Sequence, residues 1–381
     1  MSAIRRVGAL GVAAAAAATV AACGSDDNNA ATVEAAGAAA SAASDYQVDC
    51  TGKDALSAAG SSAQKNAMDQ FTAAYIAACD NSAGSANLAY TASGSGDGRK
   101  QFIGGQVDFA GSDSAIEGDQ RAQAMARCQG GEVWNLPMVF GPVAFAYNLP
   151  GVDGLVLDGP TAAKVFNGTI TQWNDPAIAA LNPGADLPDM PIGVVYRSDS
   201  SGTTDNVQTY LETASDGVWT GGAGSDFVGG VGNGAKGSAG VAQAVSAAEG
   251  AITYVEASFA TQSGLQTAEI DSGAGPVELS ADTAGTAISQ AEFVHPDGHD
   301  MALDLTSIYG TDAPGAYPLV LATYEIVCGA GYDQPTADAV STFLEVAAGP
   351  GQEGLAELGY VPLPDDIKTK LTGAIDAITA N

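Results

Sequence analysis

Histidine and closely spaced cysteines are scarce in this chain. Its 381 residues include two histidines and five cysteines, and no two cysteines form a Cys-x-x-Cys pair. Structural zinc sites use four such ligands, usually with paired spacing, so we expect no metal site. The one metal-like cluster, residues 295–300, holds both histidines on a Pro/Gly turn, and we interpret it as a solvated loop.

Basic residues are also few. Thirteen Lys and Arg face 44 Asp and Glu, which gives a formal net charge of −31. Such a surface repels nucleic acid and anionic lipid, and we expect no nucleic-acid partner. A small anionic ligand remains compatible, because surface charges beyond a Debye length of about 8–10 Å are screened and local hydrogen-bond donors decide the binding.

The N-terminus lacks a full membrane span but has the layout of a secretory signal. Arg5 and Arg6 precede an apolar stretch, residues 7–20, which is shorter than the about 20 residues that a spanning helix needs. Small residues then lead directly into Cys23, as in a bacterial lipobox, where the cysteine is diacylated and becomes the mature N-terminus. The alternative is an ordinary cleaved signal followed by an incidental cysteine.

We therefore predict a lipoprotein signal peptide at residues 1–22 and a lipidated tether at residues 23–49, on the outer face of the cell membrane. The segment Gly24–Ser44 is rich in Ala, Ser, Asn and Asp and shows no helical or strand periodicity. We expect it to be flexible, since it cannot bury a core.

The four other cysteines are Cys50, Cys79, Cys128 and Cys328. In an exported protein an even number predicts disulfides, here two bridges with three possible pairings. Sequence alone leaves all three open. The pair Cys79–Cys128 is slightly favoured, because both cysteines follow predicted helices in the same half of the chain.

The rest of the chain alternates short apolar runs with helical patterns, which predicts an α/β fold. About 335 residues follow the tether, enough for two domains. Two strongly apolar runs, 139–148 and 317–327, are long for strands. We expect them to cross between the domains.

A strand, a Gly/Ser-rich turn and a helix follow one another at least three times. Each such turn leaves free backbone N–H groups at the positive end of a helix, which is a ready anion receptor. Taken singly, each turn is explained as well by simple helix capping. Several together favour ligand binding, because these loops converge at the carboxyl ends of the strands.

Arg197 strengthens the case for an anion. It is the only basic residue between Lys164 and Lys236. Its guanidinium can bind an oxyanion with two parallel hydrogen bonds, and Asp199 is placed to hold it. The alternative is a surface ion pair of little energetic value.

Several segments resemble the ligand loops of PstS-type phosphate-binding proteins, and they follow one another in family order. They are residues 91–96 (TASGSG), 107–113 (VDFAGSD), 165–176 (VFNGTITQWNDP), 199–204 (DSSGTT), 251–256 (AITYVE) and 317–320 (YPLV). The resemblance implies a two-lobed, periplasmic-binding-protein-like (Venus-flytrap) α/β fold with the ligand in the interdomain cleft. Lobe I would comprise residues 50–138 and 318–381, and lobe II residues 139–317.

By position, the resemblance also implies the phosphate ligands. They are Ser62, the N–H of Ala63, Ser95, Asp113, Arg197, Ser201, Gly202 and Thr203, with Asp199 supporting Arg197. It further implies inorganic phosphate as ligand, the permease subunits of an ABC importer as partners, and no cofactor.

Asp113 is predicted to select the ligand. A carboxylate in a dry anion site is repulsive unless the ligand donates a proton to it, and phosphate carries such a proton near neutral pH whereas sulfate does not. Unpaired groups in such a site create discrimination on the order of 10⁴ or more. The alternative is that Asp113 merely caps a strand end.

Two other functions remain open from sequence. A phosphoesterase using Ser201 or Ser95 lacks a neighbouring histidine, a G-x-S-x-G turn and a P-loop, so we do not expect an enzyme. A surface-anchored phosphate sensor or interaction module without a transport role fits the tether and the acidity equally well.

Overall fold

The computed structural model describes residues 30–80 and 86–381. The helices are α1 (Ala30–Ala43), α2 (Lys65–Cys79), α3 (Ser95–Ile103), α4 (Gly118–Arg127), α5 (Gly159–Phe166), α6 (Pro176–Leu181), α7 (Gly202–Ala214), α8 (Gly237–Ser246), α9 (Ala257–Gln262), α10 (Ala281–Ile288), α11 (Thr306–Tyr309), α12 (Gln334–Ala348) and α13 (Asp365–Asp376). The strands are β1 (Ala55–Gly60), β2 (Asn87–Thr91), β3 (Phe109–Ser112), β4 (Val133–Asn148), β5 (Val156–Asp158), β6 (Gly193–Arg197), β7 (Asn233–Ala235), β8 (Ala251–Glu256), β9 (Gln266–Thr267), β10 (Glu269–Asp271), β11 (Pro276–Val277), β12 (Glu292–Phe293), β13 (Leu303–Asp304), β14 (Val320–Cys328), β15 (Ala330–Tyr332) and β16 (Thr379–Ala380).

The main sheet consists of two parallel halves joined by antiparallel strands. Its strand order is β2-β1-β3-β14-β4-β8-β6-β7, with β9 also paired to β4. Strand β1 runs parallel to β2 and β3, and β6 runs parallel to β7 and β8. Since the carboxyl ends of parallel strands carry their loops on one edge, each half presents a set of loops to the other.

Strands β4 and β14 join the halves, as the two long apolar runs predicted. The first part of β4 pairs with β14 from Val133 to Pro142, and its last part pairs with β8 from Val143 to Asn148. Every residue of β4 except Asn148 is buried, and all of β14 is buried, which explains why neither strand shows an alternating pattern. The fold is the predicted two-lobed α/β architecture.

The flexible tether predicted for residues 23–49 is wrong over α1, residues 30–43. Ala35, Ala39 and Ala43 are buried, and the helix packs beside α2. Alanine is the best helix former, and the four-residue spacing of these small side chains places them on one face. The alanine-rich composition that we read as structureless therefore forms a close-packed helix. Residues 23–29 lie outside the described residues.

The disulfides are Cys50–Cys79 and Cys128–Cys328, with Cα–Cα distances of 5.7 and 5.5 Å. The favoured pairing Cys79–Cys128 is therefore wrong. Both cysteines do follow helices of one lobe, but Cys79 at the end of α2 meets the chain that leads into β1. Cys128 after α4 meets the end of β14, a strand 200 residues later in sequence. Strand order, which the sequence does not reveal, decides the pairing.

Within residues 30–80 and 86–381, none of the helices is both long and apolar enough to cross a membrane. The proposed signal peptide and Cys23 lie outside these ranges.

Candidate functional site

The loops of the two lobes meet in close contact at the carboxyl ends of their strands. The N–H of Gly96, in the first turn of α3, donates to the carbonyl oxygen of Ser200 at 3.0 Å. A Cβ on Gly202, the first residue of α7, would lie 2.6 Å from both the Asp113 Cβ and the Ser95 Oγ. Only glycine at position 202 permits this approach, which brings the N-termini of α3 and α7 to Asp113.

Asp113 lies at the centre of this junction and is 2% exposed. Its Oδ1 accepts hydrogen bonds from the hydroxyls of Ser61 at 2.6 Å and Thr323 at 2.8 Å, and its Oδ2 accepts one from Ser95 at 3.0 Å. Burial raises the pKa of Asp113, and these three hydroxyls offset part of that rise. Because an ionised carboxylate has about four acceptor positions, one remains, on Oδ2, the oxygen that faces Gly202.

Arg197 is held by Asp199 as the sequence predicted. Its Nε donates to Asp199 Oδ1 at 2.8 Å and its Nη2 to Oδ2 at 2.6 Å, and both side chains are buried. Burial by itself lowers the pKa of Arg197, but the hydrogen bonds and charge of Asp199 outweigh it, so the pKa is raised. Burial likewise acts to raise the pKa of Asp199, yet the guanidinium lowers it overall. The remaining nitrogen, Nη1, donates to the hydroxyls of Thr203 at 3.3 Å and Ser238 at 3.2 Å.

The predicted first loop lies opposite Arg197. The hydroxyl of Ser62 is 3.0 Å from that of Ser238, which belongs to the other lobe. The N–H of Ala63, predicted to face the ligand, donates instead to the hydroxyl of Ser61 at 3.0 Å. A continuous chain of polar groups thus runs from Ser62 through Ser238 to Arg197.

The start of α7 supplies backbone donors. The Ser201 side chain caps the helix by accepting from the N–H of Thr204 at 3.1 Å. The N–H groups of Gly202 and Thr203 belong to the first turn, where the helix itself offers no acceptor. Ser201 therefore has a capping role in this structure, and the helix dipole adds positive potential at the same point.

Five polar residues that we did not predict also belong to this junction: Ser61, Arg99, Ser238, Glu256 and Thr323. Ser238 follows a strand and a glycine at the start of α8, so the strand–turn–helix pattern could have found it. Thr323 and Glu256 lie within strands whose residues are all buried. Glu256 ends the family-like segment 251–256, but nothing in that segment distinguishes it as a site residue, and no sequence pattern marks Thr323. Their position depends on strand register alone.

Arg99 is a second buried cation beside the junction. Its Nη1 donates to the Ser112 hydroxyl at 2.8 Å, its Nη2 to the Ser225 hydroxyl at 3.2 Å, and its Nε to Gln120 at 3.0 Å. Burial lowers the pKa of its guanidinium. Since Ser112 ends β3 and Ser225 lies in the loop between α7 and β7, Arg99 links the two lobes.

The enzyme alternative depends on Ser95, Ser201 and the two histidines. Ser95 is hydrogen-bonded to Asp113, and Ser201 caps α7. His295 is 4.0 Å from Asp300, and the ring of His299 packs on Trp134. In the part of the chain that the structure describes, no group of three or more His, Cys, Asp and Glu is arranged to hold a metal ion.

Comparison with known proteins agrees with this architecture. Residues 36–350 match the family model of the PBP superfamily domain. Solved structures with the same fold include a high-affinity periplasmic phosphate-binding protein bound with phosphate (TM-score 0.64, 21% identity, 84% of this chain and 93% of the other) and a human phosphate-binding apolipoprotein (TM-score 0.65, 22% identity, 84% and 94%).

Closer similarity is found among curated proteins. The chain is 50% identical over 337 residues to phosphate-binding protein PstS 3 of Mycobacterium leprae, covering 88% of this chain and 90% of that protein. It is 35% identical over 287 residues to phosphate-binding protein PstS of Pasteurella multocida, covering 74% and 80%. The chain therefore belongs to the PBP superfamily and, within it, to the PstS family of phosphate-binding proteins.

Proposed function

We propose that this chain captures inorganic phosphate outside the cytoplasmic membrane and delivers it to an ABC phosphate importer. The observation that carries this proposal is the composition of the junction between the lobes. Arg197, the hydroxyls of Ser62 and Thr203 and the first turn of α7 are donors, while Asp113 keeps one acceptor position on Oδ2. Many donors around one acceptor match an oxyanion that still carries a proton.

We propose Ser62, Ala63, Ser95, Asp113, Arg197, Ser201, Gly202 and Thr203 as the ligand residues. Asp199 orients Arg197 rather than contacting the ligand. Ser238 joins this set, because its hydroxyl lies between Ser62 and Arg197. The names of the similar proteins, which specify phosphate, support the same ligand.

We infer that binding proceeds by closure of two lobes, residues 50–138 with 318–381 and residues 139–317. Each lobe holds part of the site, so phosphate is fully bound only when they close and shifts the population to the closed form. The contact of Gly96 with Ser200 is one that opening breaks. The importer then recognises the closed form and releases phosphate by opening it.

We further propose that residues 1–22 are a signal peptide and that lipidated Cys23 anchors the protein on the outer face of the membrane. The segment between Cys23 and α1 is then short, because α1 already packs on lobe I. Lobe I would therefore be held near the membrane. This placement suits delivery to a membrane-embedded permease.

The test is calorimetric titration with phosphate of a form that begins at Gly24, which keeps every described residue. We expect micromolar or tighter binding that is unchanged by excess sulfate. No heat from folded, phosphate-free protein would refute the proposal. Phosphate uptake by cells lacking the gene separates the importer role from that of a sensor, since only the former predicts a loss of uptake.

A further inference from the structure

Glu256, at the end of β8, is a buried acid next to the proposed phosphate site. The residue is 1% exposed, and its Oε1 lies 2.5 Å from the Thr203 hydroxyl. Its Oε2 is also buried and has no hydrogen-bond partner among the described residues. Over the same residues, Glu256 forms no ion pair. A carboxylate left in this state is costly, because a buried charge needs pairing and full hydrogen bonding.

The surroundings of Glu256 raise its affinity for a proton. The ionisable groups that act on it are Arg197 at the end of β6, Asp113 after β3 and Tyr360 near the C-terminus. Burial raises the pKa of Glu256 most, and the charge of Asp113 raises it further. The charge of Arg197, the hydrogen bond from Thr203 and the nearby hydroxyl of Ser238, which makes no hydrogen bond to Oε2, lower it without reversing the rise. Arg197 is already paired with Asp199, which reduces the help that it can give to Glu256.

The hydroxyl of Thr203 makes the protonation of Glu256 relevant to the ligand. A hydroxyl has one proton to donate and two lone pairs. Thr203 already accepts from Arg197 Nη1. If Glu256 is ionised, Thr203 must give its only proton to Oε1, and its second lone pair is left facing the anion. If Glu256 is protonated, it donates to Thr203, both lone pairs are filled, and the Thr203 proton is free for the ligand.

We propose that Glu256 takes up a proton from solvent as phosphate binds, and that this proton turns the Thr203 hydroxyl into a donor to phosphate. Glu256 is thus a positioning residue that acts through Thr203. This inference rests on the proposed phosphate site. It predicts that phosphate binding is coupled to proton uptake by the protein. Asp113 keeps its own role, accepting a hydrogen bond from the ligand at the other side of the site.

The test is calorimetric titration of the full chain in detergent with phosphate, in buffers of equal pH but different ionisation enthalpy. The slope of heat against ionisation enthalpy gives the protons exchanged per phosphate. The contribution of phosphate itself is the same for the wild type and for Glu256→Gln, so their difference reports Glu256. We expect the wild type to take up more protons than the variant, by up to one per phosphate.

The affinity for phosphate should also depend on pH through Glu256. In Glu256→Gln the side-chain amide donates to Thr203 as the protonated acid does, so we expect this variant to bind phosphate about as tightly as the wild type at low pH. As pH rises, the wild type should lose affinity relative to the variant, by up to about tenfold per pH unit. Glu345→Gln, on α12 and bonded to Tyr46, is the matched control and should behave as the wild type.

Equal proton uptake by the wild type and Glu256→Gln, with clear binding heat in both, would overturn this inference but leave the phosphate site intact. Absence of heat in the wild type would refute the proposed function instead. If Glu256→Gln fails to fold, infrared difference spectra of the wild type show whether a carboxyl group is protonated on phosphate binding. A carboxylic acid C=O band must appear when phosphate is added, and its absence would refute the proposal.

Discussion

Substitution of Asp113 by asparagine gives a sharp test of selection between phosphate and sulfate. Three of the about four acceptor positions of this carboxylate are filled by the hydroxyls of Ser61, Thr323 and Ser95. The last position lies on Oδ2, against the start of α7. Phosphate can donate a proton to it, but fully ionised sulfate cannot.

The size of the discrimination against sulfate follows from that unfilled acceptor position. A buried acceptor left unpaired costs about 1–3 kcal/mol, and more when it is charged. For an ionised aspartate facing a second anion we take about 3 kcal/mol as the lower bound, which is roughly a hundredfold in affinity. In Asp113→Asn the amide nitrogen presents an N–H to the ligand. The penalty on sulfate is then removed, while phosphate loses its acceptor.

The assay is calorimetry with each anion separately and in competition. We expect the ratio of the sulfate and phosphate dissociation constants to fall by about a hundredfold or more in Asp113→Asn, through tighter sulfate and weaker phosphate binding. If Asp113 is the selector, sulfate must bind more tightly and phosphate more weakly in the variant. A uniform loss of affinity for both anions would point to a structural role only.

Asp108→Asn is the matched control. Asp108 precedes β3 and is bonded to Lys53 and Ser57, whereas Asp113 follows the same strand. Five residues of extended chain separate the two aspartates by about 16 Å. The control has the same change of charge and should retain full discrimination. Unchanged selectivity in Asp113→Asn would falsify the assignment of Asp113 as the selector.

Three further changes test other parts of the molecule. Arg197→Ala removes a buried, hydrogen-bonded charge and should weaken phosphate binding by about 2–5 kcal/mol, measured by calorimetry; an unaltered dissociation constant would exclude it from the site. Burial raises the pKa of Glu325 to about 8, while the pKa of a glutamate in the unfolded chain is about 4.3. Between these values the unfolded chain releases a proton that the fold retains, so stability falls as pH rises. Glu325→Gln should therefore stabilise the protein more at about pH 8 than at about pH 5; thermal unfolding showing an equal gain at both would contradict this. Cys23→Ala should release the protein into the medium, and its retention in the membrane fraction would contradict lipid anchoring.

Much of the fold could be predicted from the sequence, because it depends on local sequence patterns. The repeated strand, Gly/Ser-rich turn and helix predicted the loops at the junction, and the apolar run at residues 139–148 predicted the crossing strand β4. Loop motifs predicted that Asp113 and the Arg197–Asp199 pair would be close in space. These features depend on residues near one another in sequence or on a strand long enough to be recognised alone.

The remainder depends on register and on packing between distant elements. Thr323 reaches Asp113 because β14 lies beside β3, and the sequence separation is 210 residues. Cys328 meets Cys128 through the same strand. The helix α1 was missed for a different reason: its alanines look featureless in sequence, and only contact with α2 reveals which of them are buried.

A net charge of −31 and an anion site are compatible because the groups next to the ligand, rather than distant surface charges, decide the binding. The ionisable side chains at or beside the junction include Arg99 and Arg197, Asp113 and Asp199, and Glu256, and Asp205 also acts on Arg99. Protonation of Glu256 as phosphate binds removes one negative charge from this set. The N-termini of α3, α7 and α8 then each add roughly half a positive charge. An ionised Glu256 would keep that negative charge beside the anion, so the proposed proton uptake favours binding of an anion in this acidic protein.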